Sequence, residues 1–242
     1  MHKVGIIAAM EREVRPLMKL KGRGWRVSER EHGGRFFRFL EDDLDLVLVC
    51  GGIGGEAARR AAVAMIDLYA PTILYSVGFA GALDPRLKAG DVVQPAQVID
   101  ASDGSRTDLS EGKGVLVTFG SVASPPQKAQ LRDSYGAQVV DMEAAAVGRA
   151  AQASGVKFAA VKAISDEFDF TFPEIERFVD SQGRFQQGRF ARFAVVRPWL
   201  WRKVNRLAQS SNRAVTGLND WLITSLDRMI AQAPEPIAEK NP

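Results

Sequence analysis

Residues 137–166, "AQVVDMEAAAVGRAAQASGVKFAAVKAISD", indicate the class of fold. It begins with the strand-like run "AQVV", continues through an alanine-rich segment at 142–153 that favours a helix, and ends in the apolar run "FAAVKAI". A strand, a helix and a second strand in this order are typical of a mainly parallel sheet covered by helices. Carboxylates stand at both junctions, because Glu143 opens the helix and Asp166 follows the second apolar run.

The same alternation precedes this stretch. Buried strands are indicated by "KVGIIAA", "LDLVLVCGG" and "TILYSVGFAGAL", and helices by "MEREVRPLMKL" and "EAARRAAVAMIDLY". The alternating run "GRFFRFLED" suggests an edge strand beside a central one, and "AGDVVQPAQVID" and "GVLVTFGSVA" supply further strands on either side of a polar loop, "ASDGSRTDLSEG". We therefore expect a three-layer α/β/α sandwich around a central mixed, mainly parallel twisted sheet.

The C-terminal part differs in composition. "TFPEIERFV" predicts a helix with a capping box from Thr171 to Glu174, residues 183–232 predict two or three helices, and "APEPIAEKNP" predicts a frayed tail. We expect one domain over residues 1–182 and a helical, basic extension over residues 183–242.

Residues 183–213 of this extension hold eight Arg and Lys residues and no acid. Within them, "RPWLWRKVNRL" mixes Trp199 and Trp201 with basic residues, a composition suited to an anionic membrane surface or to an apolar tail of a ligand. The alternative is a helix that packs its Trp side chains on the domain or on a partner subunit.

Composition excludes several classes of protein. The chain has 242 residues, 46% of them hydrophobic, and a formal net charge of +3 with basic and acidic residues interspersed along most of its length. This pattern argues against a nucleic-acid partner. One cysteine and two histidines leave no intrachain disulfide and no conventional zinc site, so we expect no metal. No apolar run approaches the roughly 18 residues of a membrane span, and we expect a cytoplasmic protein.

Two glycine-rich turns and three acids mark one edge of the predicted sheet. The turns are Gly51–Gly55 and Gly78–Gly81, each directly after a buried strand. Glu13, Glu143 and Asp166 stand at comparable junctions, and each alone is explained by the preference of acids for first helical turns or for tight turns. Ligands of open α/β sheets bind at the carboxyl ends of the strands, so together the carboxylates could act there as acid and base.

The residues that carry a family resemblance are "GIIAAMEREV", "GGIGGEAA", "SVGFAGALDPRLKAGDVV", "VVDMEAAAV" and "VKAISDEFD", in this order. Over roughly residues 1–180 the chain resembles the nucleoside phosphorylase and nucleosidase superfamily, and in particular the methylthioadenosine/S-adenosylhomocysteine nucleosidases. The resemblance implies cleavage of the N-glycosidic bond of an adenine nucleoside, no metal or redox cofactor, and a homodimer or a higher homo-oligomer.

The resemblance also implies roles for individual residues. Asp166 would protonate purine N7, Glu13 would activate the attacking water, and Glu143 would accept hydrogen bonds from the ribose hydroxyls. The other substrate-binding positions that it implies are Phe79, Ala80, Gly81, Val122, Met142, Lys162 and Ser165. This chain has Phe79 where those nucleosidases usually have a hydroxyl residue, and Lys162 where they usually have Arg, which forms a bidentate fork that Lys lacks.

Three alternatives stay open at the level of sequence. Phosphate could replace water as co-substrate, although Glu13 favours water. "SVGFAGALDP" and the basic extension also resemble the hopanoid-associated branch of the superfamily, which removes adenine from an adenosylated triterpenoid, a lipid-tailed nucleoside. Finally, the chain could be a catalytically silent module that binds nucleosides.

Overall fold

A mixed sheet of eleven strands forms the centre of the computed structural model, which describes residues 2–20, 25–28, 35–41, 44–109, 111–170, 175–178, 180, 186–195 and 197–231. The strands are β1 (His2–Ala8), β2 (Arg26–Ser28), β3 (Phe36–Glu41), β4 (Leu44–Cys50), β5 (Ile73–Ala82), β6 (Val92–Val93), β7 (Gln97–Asp100), β8 (Arg106–Asp108), β9 (Val115–Thr118), β10 (Val139–Asp141) and β11 (Lys157–Asp166).

Six α-helices accompany these strands in the described part of the chain. They are α1 (Glu11–Leu20), α2 (Gly55–Tyr69), α3 (Pro125–Tyr135), α4 (Ala144–Ala153), α5 (Gln187–Val195) and α6 (Trp201–Ala231), and two short 3₁₀ helices span Ile175–Phe178 and Pro198–Leu200.

The sheet runs in the order β2-β3-β4-β1-β5-β10-β9-β7-β8, and β11 pairs with β5 and with the short β6. The two longest ladders, β11 with β5 and β1 with β4, are parallel, and β1 also runs parallel to β5. The strand β10 is antiparallel to β5, which it meets at Gly81 and Ala82, beyond the residues that pair with β1. On one side, the long strand β5 therefore pairs with β1 near its start and with β10 near its end, and the sheet opens between β1 and β10.

Helices cover both faces of the sheet and complete a three-layer α/β/α sandwich. On one face α2 and α4 pack against β1, β4 and β5 through a cluster that includes Met65, Leu74 and Val147. On the other face α1 and α6 pack through Val14, Leu17, Leu218 and Leu222. The fold class predicted from the sequence is confirmed.

Details of the sequence prediction need correction. The segment "ASDGSRTDLSEG" is not only a loop, because Arg106–Asp108 forms β8 against β7. The strand β3 is not at the edge, because β2 pairs on its outer side. The helix α3 was not predicted. The strands at either end of the 137–166 stretch are not parallel to each other, since β5 is antiparallel to β10 and parallel to β11. The capping box at 171–174 and the tail at 233–242 lie outside the described residues.

The C-terminal extension shares the core of the sandwich. Ala214, Leu218 and Leu222 of α6 are buried in one cluster with residues of β1, β4 and α1. Asn219 ties the helices together, because its Nδ2 donates to the Glu13 carbonyl at 2.7 Å and its Oδ1 accepts from the Leu17 N–H at 2.9 Å. Residues 183–231, as far as they are described, thus have no separate core, and the domain boundary at 182 stays a prediction.

Trp199 and Trp201 point away from this core. The exposed fractions of these two residues are 72% and 56%. Both side chains therefore leave more than half of their surface uncovered by the domain. A membrane surface and a partner subunit stay open as predictions.

Candidate active site

A cavity of about 630 Å³ opens where β5 changes neighbours. Glu13, Glu143 and Asp166 all line it. From the sequence we expect these three acids at the same end of parallel strands. In the structure Glu143 instead follows β10, which is antiparallel to β5, and it meets Glu13 and Asp166 part-way along β5. Of the positions implied by the resemblance, the cavity lining also includes Phe79, Ala80, Gly81, Val122, Met142 and Ser165.

Glu13 lies in the first turn of α1 and is almost completely buried, at 1% exposure. Its Oε2 accepts the N–H groups of Ala9 and Met10 at 3.0 and 2.9 Å, and its Oε1 faces the Phe79 N–H at 3.4 Å. Gly78 permits this approach, because a Cβ at that position would lie 3.3 Å from both carboxylate oxygens and its φ is +151°. Burial raises the pKa of Glu13 despite these hydrogen bonds and the nearby Lys162.

Glu143 is the N-cap residue of α4, so it directly precedes the helix, whereas the sequence predicted a helix over residues 142–153 that includes it. Its Oε1 accepts the Gly54 N–H at 2.8 Å, and its Oε2 lies 3.3 Å from the Met142 nitrogen. Burial and repulsion by Asp141 raise the pKa of Glu143 to about 7, while the Lys162 ammonium and the Gly54 N–H oppose that shift. The group therefore changes charge near neutral pH, and its carboxylate has lone pairs left for hydroxyl donors.

Asp166 ends β11 directly after a β-bulge. Ile164 pairs with Ala80 and Asp166 with Gly81, so Ser165 is the extra residue. Bulges change the direction of the following side chain and are frequent beside active sites. Two donors reach the carboxylate, since Ser165 Oγ lies 2.9 Å from Oδ1 and Lys128 Nζ 2.5 Å from Oδ2.

Lys162 does not line the cavity but lies beneath it, at 1% exposure. Its Nζ lies 2.9 Å from Asp141 Oδ2 and donates to Ser76 Oγ at 3.0 Å. Burial lowers the pKa of Lys162, but attraction by Asp141, Glu143 and Glu13 outweighs it, so the pKa is raised overall. The ammonium thus balances three carboxylates, and direct contact with substrate stays a prediction that this geometry does not support.

Asp141 completes this network at the wall of the cavity. Its Oδ1 accepts the Thr118 hydroxyl at 2.7 Å and its Oδ2 accepts the Ala144 N–H at 2.8 Å. Because Ala144 is the first residue of α4, the same carboxylate that pairs with Lys162 also fixes the helix that carries Glu143.

Three residues of the site were missed by the sequence reasoning. Lys128 lines the cavity from α3, whose start could have been found, because Ser124 and Gln127 form a capping box around Pro125 at the first helical position. Arg12 also lines the cavity, with its guanidinium carbon 5.3 Å from the centre of the Phe79 ring. Asn219 donates a hydrogen bond to the backbone carbonyl of Glu13. No sequence pattern indicates this contact, because the two residues lie about two hundred positions apart in the chain.

The sequence model of one protein family matches residues 3–116 and 113–193 of this chain, and its description is "Phosphorylase superfamily". The chain belongs to the phosphorylase superfamily. Among the curated relatives of this superfamily member, the 5'-methylthioadenosine/S-adenosylhomocysteine nucleosidase of Tolumonas auensis is 29% identical over 203 residues, which are 68% of this chain and 86% of the relative. The nucleosidase of the same name from Staphylococcus aureus is 27% identical over 198 residues, 67% of this chain and 86% of the relative.

Solved structures agree with this fold. The futalosine hydrolase of Helicobacter pylori aligns with a TM-score of 0.72 at 18% identity, over 94% of this chain and 98% of that one. The 5'-methylthioadenosine nucleosidase of Arabidopsis thaliana aligns with a TM-score of 0.73 at 17% identity, over 95% and 96%. At these identities the likeness concerns the fold alone.

The family match and the nucleosidase relatives together show that this superfamily member is an enzyme that cleaves glycosidic bonds, as a hydrolase or a phosphorylase. Among its described residues, no group of three or more His, Cys, Asp or Glu side chains is placed to hold a metal ion. In the same part of the chain, no helix combines the length and the apolar character needed to cross a membrane.

Proposed function

We propose that the chain hydrolyses the N-glycosidic bond of an adenine nucleoside such as 5'-methylthioadenosine or S-adenosylhomocysteine. The observation that carries this proposal is the convergence of Glu13, Glu143 and Asp166 on one cavity, although they come from three different elements. The nucleosidase relatives support the same chemistry.

The chemical problem in this reaction is the departure of a purine from an acetal carbon. Breaking the C1′–N9 bond leaves positive charge on the sugar and negative charge on the base, and a proton delivered to N7 neutralises the base. Asp166, which reaches the cavity at the end of β11, delivers that proton. Water then attacks C1′ and loses its proton to Glu13, so the products are adenine and the free 5-substituted ribose.

Glu13→Gln should lower the rate of adenine release at saturating substrate by about 100-fold, within the range for a lost general base. The amide oxygen can still accept the Ala9 and Met10 N–H groups, so the loop should keep its shape. Steady-state measurement of adenine release checks the prediction. Glu11→Gln is the matched control, because Glu11 is in the same helical turn but exposed; an unchanged rate in Glu13→Gln would remove Glu13 from the chemistry.

A 2′-deoxynucleoside should be a poorer substrate than the matching ribonucleoside, by about 10- to 100-fold in kcat/KM, because hydrogen bonds to charged groups contribute about 1.5–3 kcal/mol. Glu143 is the proposed acceptor, and since its pKa is about 7 the preference should grow with pH across neutrality. Comparison of the two substrates at several pH values measures this. Equal rates at every pH contradict the role of Glu143, and Glu143→Gln should reduce the preference.

Phosphorolysis is the second candidate, and Arg12 is the observation that favours it. Arg12, the residue directly before Glu13, lines the cavity, and its guanidinium could bind a phosphate oxyanion. Burial lowers the pKa of Arg12, and the neighbouring Glu13 opposes this effect. Water and phosphate give different sugars, a free ribose and a ribose 1-phosphate, so the products distinguish the two reactions.

The group at the 5′ position is the least defined part of the substrate. The cavity has an apolar portion formed by Phe170, Phe190, Val204 and Leu207, two of which belong to α6. Such a lining suits a methylthio group or a longer apolar chain better than the charged end of S-adenosylhomocysteine. The exposed Trp199 and Trp201 lie just before this part of α6 and favour the lipid-tailed alternative.

The deciding experiment is a chromatographic assay of adenine release with and without phosphate. Substrates are adenosine, methylthioadenosine, S-adenosylhomocysteine and a 5'-alkylthioadenosine with a long chain. Adenine release without phosphate supports hydrolysis, whereas release only with phosphate supports the second candidate. Binding of all four nucleosides without any adenine release contradicts both and leaves a binding module.

A further inference from the structure

A buried lysine lies behind the carboxylate that faces the base. Lys128 is in the first turn of α3. It is 1% exposed and is one of the largest fully buried side chains. Its ammonium lies 2.5 Å from Asp166 Oδ2 and donates to the Glu167 carbonyl at 2.7 Å. Asp166 itself keeps 21% of its side chain exposed, so a bound base can reach the carboxylate rather than the ammonium.

The fold builds this pair from three separate elements. The Ser124 cap starts α3 so that Lys128 points inward, and the bulge at Ser165 brings Asp166 to the end of β11. Gly81 of β5 leaves the necessary space, since a Cβ there would lie 2.8 Å from Asp166 Oδ2 and 3.3 Å from Lys128 Cε. A side chain at Gly81 would force the pair apart.

Other charges near the pair already have partners. The Glu167 carboxylate lies 2.9 Å from Arg206 of α6, which also reaches Asp169 at 3.3 Å. Arg132, one turn further along α3, lies 2.9 Å from Asp133. Asp141 of β10 is held by Lys162. Within the described residues, Lys128 is therefore the cation that contacts Asp166.

This arrangement matters for the chemistry, because a carboxylate in an ion pair has no proton to donate. Asp166 accepts hydrogen bonds from both Lys128 and Ser165. The pair as a whole still holds one transferable proton, which resides on the nitrogen. We infer that Lys128 supplies, through Asp166, the proton that reaches the leaving base; this inference rests on the proposed function.

The step balances without a further reactant. As the C1′–N9 bond breaks, its electron pair stays with the base. The Asp166 carboxylate takes a proton from Lys128, which becomes a neutral amine, and passes a proton to N7, so the carboxylate ends as it began. Solvent returns the proton to Lys128 after the base has left. The nucleophile's own proton goes to Glu13, on the other side of the sugar carbon.

Lys128→Arg is the sharpest variant, because a guanidinium keeps the positive charge but does not give up its proton in proteins. Adenine release should fall on the order of 100-fold, the lower end of the range for general acid catalysis. Hydrolysis of p-nitrophenyl β-D-riboside should stay within a few-fold of the wild type, because nitrophenolate leaves without protonation. A general loss of structure would lower both activities together.

Lys128→Met separates proton supply from the placement of Asp166. Without the ammonium, Asp166 must take its proton from solvent, so adenine release should be low at alkaline pH and recover on acidification, relative to the wild type at each pH. Lys113→Met, at an exposed lysine, is the control. The inference is overturned if Lys128→Arg cleaves both the adenine nucleoside and the nitrophenyl riboside at wild-type rates. It is also overturned if Lys128→Arg and Lys128→Met each lose equal activity on these two substrates. A wild-type enzyme that releases no base from any nucleoside instead overturns the proposed function on which the inference rests.

Discussion

Asp166→Asn should lower the rate of adenine release by about 10³- to 10⁴-fold, the upper part of the range for general acid catalysis. An amide has no proton to deliver to N7 and cannot pass one on from Lys128. Its oxygen can still accept the Lys128 hydrogen bond, which the wild type makes at 2.5 Å, so the buried ammonium keeps a partner. Single-turnover measurement of adenine release gives the chemical step directly.

The substitution should affect the reaction much more than binding. The dissociation constant of a nucleoside, measured by calorimetry, should change little, because Glu143 and the lining residues stay in place. Asp67→Asn, at an exposed position of α2, is the control and should keep the wild-type rate. An Asp166→Asn variant that releases adenine at close to the wild-type rate would show that the leaving base gets its proton elsewhere.

The positions of the three acids could be predicted from the sequence, because they depend on local order. Glu13, Glu143 and Asp166 each follow a strand, and strand ends are readable from apolar runs. How they meet could not be predicted. That meeting depends on the antiparallel pairing of β10 with β5 at Gly81 and Ala82, and the run "AQVV" carries no information about the direction of its partner.

The buried lysines that pair with the carboxylates of the site were the residues that the sequence predicted least well. Lys128 and Asp166 are 38 positions apart, and Lys162 lies 86 positions from Ser76. Lys128 lies in the polar segment "PPQKAQ" and Lys162 interrupts the apolar run "FAAVKAI", and neither context indicates which carboxylate the lysine meets. Only the packed fold places them against carboxylates, because the cost of burying a charge selects its partner in three dimensions.

Lys162→Met should lower the free energy of unfolding by about 3–5 kcal/mol, the usual cost of removing one partner from a buried ion pair. The ammonium, at 1% exposure, faces Asp141 at 2.9 Å and also attracts Glu143 and Glu13. A methionine fills a similar volume but, among the described residues, leaves Asp141 with the Thr118 hydroxyl and the Ala144 N–H as its hydrogen-bond donors. Denaturant unfolding measures the difference, and Lys157→Met, on the same strand but exposed, should change stability by less than about 0.5 kcal/mol.

The difference in the free energy of unfolding between the wild type and Lys162→Met should increase as the pH rises. The pKa of Glu143 is raised to about 7 in the folded protein, so its contribution to stability is present at acid pH and is lost as the pH rises through about 7. Without Lys162 the attraction that holds this pKa and that of Glu13 down is gone, and the folded variant must keep both acids protonated to higher pH. Unfolding measured on either side of neutrality tests this. A deficit that is the same on both sides would mean that Lys162 acts on Asp141 alone, whereas a widening deficit places Glu13, Glu143 and Lys162 in one electrostatic unit.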